Sequence, residues 1–139
     1  MPRTLGLLSL FAILGCAVAA EKSARNGVVD AIALDKADKF EVTPRKWNAP
    51  NLITADDLFL NNLIPDVATR KRVLKEVNFE THVLLIFAWK GSGADKLESV
   101  ISKGSPEQVR FSLAPGTQED VRKHIKLFAV KKDCSWSAK

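Results

Sequence analysis

The sharpest pattern in the chain is "HVLLIFAW" at residues 82 to 89, which is apolar at nearly every position and therefore predicts a strand covered on both faces. It runs into Gly91-Ser92-Gly93 and then a mixed alternation, "DKLESVIS", so a second strand is expected after a glycine turn. "VRFSLAP" (109 to 115) alternates with Val109, Phe111 and Leu113 inward, and "HIKLFAV" (124 to 130) does so with Ile125, Leu127 and Ala129. "KGSPEQ" and "GTQEDVRK" are the connections. Upstream the period is helical. In "ITADDLFLNNLI", Thr54 is placed as an N-cap with Asp56 and Asp57 in the first turn, and Leu58, Phe59 and Leu63 are expected to be buried. Pro65 ends that helix, and Asp66 caps a second one through "VATRKRVLKEV", with Val67, Val73, Leu74 and Val77 as its apolar stripe. "FEVT" and the proline-bearing "PRKWNAPN" predict an edge strand with a bend.

Together these elements predict an α+β fold, a mostly antiparallel four- to five-stranded sheet with an N-terminal pair of helices packed on it. The boundaries expected are a signal peptide over 1–20, a flexible lead-in over 21–39 and a single small domain over 40–139. The first of these rests on Arg3 followed by "LGLLSLFAILGCAVAA", a charged start, an apolar middle and a small-residue exit, with cleavage after Ala19 or Ala20. A membrane anchor needs about twenty apolar residues. The chain is thus expected to be exported to the periplasm or secreted, with no integral membrane span. "ILGC" also resembles a bacterial lipobox, which makes lipid anchoring through Cys16 the alternative, although Leu stands where a small residue is usual and "AVAAE" lacks a polar tether. Ordinary cleavage leaves Cys134 as the sole thiol, so the fold has no internal disulfide and must stand on its core.

Charge narrows the partners. Net +5, one unit of it from Arg3, is mild, and the local excesses at 70 to 72, 122 to 123 and 131 to 132 lie on expected wet faces without interleaved aromatics. No nucleic acid is expected. The expected partner is a protein, with an anionic polysaccharide or lipid surface as the alternative, and the chain is expected to be a monomer.

The order "ITADDL", a helical stretch, "VNFETHVLLIFAWKGSG", a hairpin and "HIKLFAV" resembles small exported domains related to the PrcB C-terminal domain, and more closely uncharacterised planctomycete-type secreted proteins. The likeness spans about residues 46 to 136. It implies an accessory or binding domain without a catalytic set. Trp89, Gly91 and Gly93 match that group's aromatic-glycine motif, whereas its "PTGGY"-like form is missing.

Candidate chemistry is sparse. "GSGADK" offers consecutive amides with Ser92 and Lys96, which can form a nest for an anion, but it lacks Walker spacing, and a plain hairpin corner is the preferred reading. Tentative binding residues are Trp89, Gly91, Ser92, Gly93, Lys96 and Trp136, with Trp47 as a further aromatic that is expected, like Trp89, to pack. No catalytic residue, metal ligand or cofactor is assigned. His82 and His124 each open an apolar strand and have no ligand cluster beside them. The function expected is an exported non-catalytic binding or accessory domain. The alternative is a small hydrolase or protease-inhibitor-like domain using His124, Asp120 and Ser92, which are expected to lie far apart.

Overall fold

The computed structural model describes residues 27–56 and 58–139. Cys16, the leader and Asp57 lie outside them. Seven strands and two helices follow in the order β1 (Val29–Ile32), β2 (Asn51–Ile53), α1 (Leu58–Leu63), α2 (Val67–Glu76), β3 (His82–Ser92), β4 (Lys96–Ser102), β5 (Gln108–Ala114), β6 (Val121–Lys131) and β7 (Ser135–Ala138). They form two sheets, β1-β6-β3-β2 and β4-β5-β7. All pairings are antiparallel except β5 with β7.

β3 and β6 are matched residue for residue from His82↔Lys131 to Ser92↔Val121 without a bulge. Alternation then sends Leu84, Ile86 and Ala88 to one face of the first sheet and Leu85, Phe87 and Trp89 to the other. Leu60, Leu63 and Ile64 from α1 and its end, with Val73 and Val77 from α2, cover the first face. The second sheet covers the other through Val109 and Phe111, where Phe87, Phe111 and Phe128 form a three-ring contact with centroids 4.9, 5.8 and 4.9 Å apart.

This corrects the expected fold class. The protein is mostly sheet, with 42% of the described residues in strands and 14% in helices, divided between two sheets rather than one. The helices lie mid-chain, after β1 and β2, and are not an N-terminal pair. The physical reason lies in β3: two short helices can cover one face of a strand apolar on both, and the other face needs a second layer. β4 therefore does not return against β3, which pairs with β6 along the whole of one edge and with β2 over Leu84–Ile86 of the other. The glycine segment carries the chain from one sheet to the other.

Smaller differences follow. Residues 40 to 43 form no strand, although Val42 is buried; they run as a connection tied by Glu41 N–H to Leu63 O (2.9 Å), and further on Arg45 N–H bonds Ala88 O (2.8 Å). The edge strand begins only after Pro50. β1 lies inside the stretch read as a lead-in and pairs with Leu127–Val130 of β6. Helix α1 begins at Leu58, so Thr54 does not cap it, and Leu58 and Phe59 are exposed while Leu60 is fully buried. Asp66 does cap α2, its carboxylate accepting Thr69 N–H at 2.8 Å. Arg72 holds the chain after β1 against α2, donating to Ala33 O at 3.0 Å and pairing with Asp38.

These placements order the cost of truncation. Phe87→Ala is expected to destabilise the fold by about 3–5 kcal/mol and Leu60→Ala by about 2–5 kcal/mol, whereas Leu58→Ala should change stability by no more than about 0.5 kcal/mol. Urea unfolding of the three variants checks the ranking.

Candidate functional site

The glycine segment that ends β3 is where most of the polar side chains of interest meet. Three consecutive amides follow Ser92, and each already has an acceptor. Gly93 N–H bonds the Asp120 carbonyl (3.0 Å) and its Oδ1 (3.2 Å), Ala94 N–H bonds Ser92 Oγ (3.3 Å), and Asp95 N–H bonds Ser92 O (2.9 Å). The amides that could have formed an anion nest in "GSGADK" are thus taken by the chain's own groups.

Asp95 is the hub. Its Oδ1 accepts Gly116 N–H at 2.8 Å and its Oδ2 accepts the Trp89 indole N–H at 3.1 Å, so one carboxylate ties β3 to the connection between β5 and β6. Those bonds, the Gly116 amide first and the Trp89 indole second, hold its carboxyl below the ordinary carboxylate range, and His124 adds a smaller push in the same direction. His124 stacks on Trp89 at 4.7 Å between ring centroids and 15° between planes, and its Nε2–H donates to Ser92 O at 2.8 Å. Arg122 pairs with Asp120 at 2.5 Å.

The glycines are required by proximity. None of the described glycines has a positive φ. A Cβ on Gly91 would collide with the Asp95 carboxylate, and one on Gly116 would lie 2.6 Å from both the carbonyl carbon and the Cβ of Ala94.

The residues singled out from sequence therefore divide. Gly91, Ser92 and Gly93 build the corner, and Trp89 joins it from inside, being only 2% exposed. Lys96 is exposed at the start of β4, and Trp136 is half-buried against the second core alongside Trp47. Ser92, Asp120 and His124 come together, contrary to the separation expected. Their bonding is not that of a nucleophile and base: His124 engages the carbonyl of Ser92, whose hydroxyl accepts from Ala94, and Asp120 engages Gly93 and Arg122. Asp95, Gly116 and Arg122 were missed. An aspartate closing a glycine-rich turn, with a second glycine on a facing connection, is the signal that could have found them.

The other histidine and the thiol are also engaged. His82 is buried, with Nε2–H donating to Gly27 O (2.9 Å) and Nδ1 accepting the Thr81 hydroxyl (2.7 Å). Cys134 donates its thiol proton to Lys131 O (3.0 Å), and burial, followed by the nearby Asp133, pushes its pKa up, away from the reactive thiolate. Among the described residues no His/Cys/carboxylate group has the arrangement of a metal site, and no helix is long and apolar enough to cross a membrane. No family model, curated protein or solved structure matches the chain.

Two outcomes test the corner. Gly116→Ala should destabilise the fold by about 1–3 kcal/mol through overpacking against backbone, measurable by urea unfolding. Because the folded pKa of Asp95 lies below its unfolded value, its contribution is fully present above about pH 4 and is lost as pH falls through the depressed folded value. Asp95→Asn should be less stable at neutral pH and show a shallower loss of stability below about pH 4 than the parent chain, read from thermal melts across that range.

Proposed function

We propose that the protein is an exported, non-catalytic binding or accessory domain that contacts another envelope or secreted protein. The observation that carries this reading is the closure of the corner at Gly91–Gly93. The side chains of Ser92, Asp95, Asp120 and His124 bond to backbone groups, to the Trp89 indole and to Arg122, and that indole is buried. Such a knot stiffens the end of β3 and joins two sheets. The leader-like start supports export, and the resemblance read in the sequence to PrcB-like accessory domains supports a role beside a larger partner.

The hydrolase reading keeps one observation in its favour, the meeting of Ser92, Asp120 and His124 at one corner. A fluorophosphonate probe separates the two. The binding reading expects no labelling at Ser92 and a saturable protein partner cross-linked to the chain in the envelope or secreted fraction. Stoichiometric labelling that disappears in Ser92→Ala, while the variant keeps its fold, would overturn it.

A further inference from the structure

We infer that the outer edge of β6 from Val121 to Lys126 is a strand-addition site for an extended acidic segment of a partner protein. This deepens the protein-binding reading and rests on it.

The geometry begins with the ladder. Lys131 N–H bonds Val28 O on the β1 side, and Lys132 N–H bonds Thr81 O beside β3. In an antiparallel strand these directions alternate, so the backbone groups of Val121, Lys123 and Ile125 aim to the side where β1 lies. β1 reaches only Leu127 before the chain leaves the sheet, drawn to α2 by the Arg72 bond to Ala33 O. Among the described residues nothing pairs with β6 beyond that point on this side. The register with β3 is unbroken through Val121, so the free length is regular strand, the template that strand addition uses.

At the junction, where β1 departs, lies a groove of about 330 Å³ lined by residues that include Ile32, Leu34, Ile125 and Leu127. It can take one apolar side chain of an added strand and so fix its register.

Charge selects the occupant. β6 carries no acidic residue between Val121 and Lys131. Lys90 and Lys123 stand directly opposite each other across the ladder, and both are exposed, as are Arg122 and Lys126. Among the described residues Lys90, Lys123 and Lys126 make no ion pair. Like charges placed across a ladder are unfavourable. A second copy adding edge to edge would set this basic row against itself, the arrangement by which edges resist self-pairing. An acidic strand would meet it with opposite charge.

The test is fluorescence anisotropy of the full chain with a labelled nonapeptide of alternating glutamate and valine, against its lysine counterpart. Strand addition predicts binding of the glutamate peptide, weakened by salt, with amide shifts at Val121, Lys123 and Ile125. The double variant Val121→Pro/Lys123→Pro removes two outward donors at positions where an edge tolerates proline, and its affinity should fall by about tenfold or more. Lys123→Ala is the control for lost charge and should fall less. If the proline variant does not fold by circular dichroism, a glutamate peptide N-methylated on alternate residues should show the same loss against the unaltered chain. Equal binding of the lysine peptide, an N-methylated peptide that binds undiminished, a heparin fragment that binds more tightly than the glutamate peptide, or self-association through β6 would each overturn the site. A captured partner indifferent to both prolines would remove the site and leave the binding reading standing. Failure to capture any partner would sink the reading itself.

Discussion

The structure depends on a single constraint, that a strand apolar on both faces must be covered twice. Leu84, Ile86 and Ala88 point one way from β3 and Leu85, Phe87 and Trp89 the other, all buried. Antiparallel pairing with β6 over eleven residues satisfies the backbone groups on one edge of that strand and extends the apolar surface on each face. Helices α1 and α2 fill one side. The β4-β5-β7 sheet fills the other, where three phenylalanine rings close the gap between layers. With both faces of β3 covered and its β6 edge paired to the end, the chain leaving Ser92 passes out of the first sheet and into the second.

That route explains why the corner is built as it is. A crossover between layers exposes amides that no ladder can take. Here Ser92 and Asp120 supply acceptors to those amides, while Asp95 reaches back to the Trp89 indole and across to Gly116. Glycine stands at 91 and 116 because the carboxylate and the backbone of Ala94 come too close for a Cβ. Trp89 is thus both a core residue and a donor to the loop, the double use expected of a large ring with one polar atom. His124 completes the cap by stacking on that ring. Of the residues that resemble a reactive set in the sequence, the imidazole of His124 meets the carbonyl oxygen of Ser92, not its hydroxyl, and Asp120 bonds Gly93 and Arg122.

Much of this was legible from pattern, and the failures have physical causes. The double-sided burial of "HVLLIFAW", the alternation in β5 and the Asp66 cap follow from local rules, and local rules hold there. In β6, by contrast, Phe128 and Val130 are buried as well as Leu127 and Ala129, because both faces of the sheet are covered. Burial of Leu58 and Phe59 was expected from helical period, but α1 is only six residues long and turns Leu60 and Leu63 inward instead. Val29–Ile32 is too short to show a period of its own; it becomes a strand because Leu127–Val130 offers an edge. The hairpin expected at Gly91–Gly93 assumed that consecutive strands pair, a tendency overruled here by the second apolar face of β3, which β4 and β5 help to cover. Asp95 escaped notice because its partners, Gly116 and Trp89, are brought to it only by the fold.

The same topology leaves ladders unfinished, and the one on β6 carries the more basic side chains. β6 is as long as β3, but β1 covers only its second half, and Arg72 fixes the point at which β1 turns away. An open edge is a liability for any β protein, and charged side chains along it are the ordinary remedy. In this chain the remedy has one sign. Lys123 and Lys126, with Arg122 held by Asp120 just before the strand, oppose a second copy of the same edge, yet they leave a negatively charged strand unopposed. A mixed row of charges would protect the edge from both alike. The basic row is selective, and it lies on a stretch whose backbone is already held straight by β3, so an incoming strand would meet an edge whose ordering cost the fold has already met.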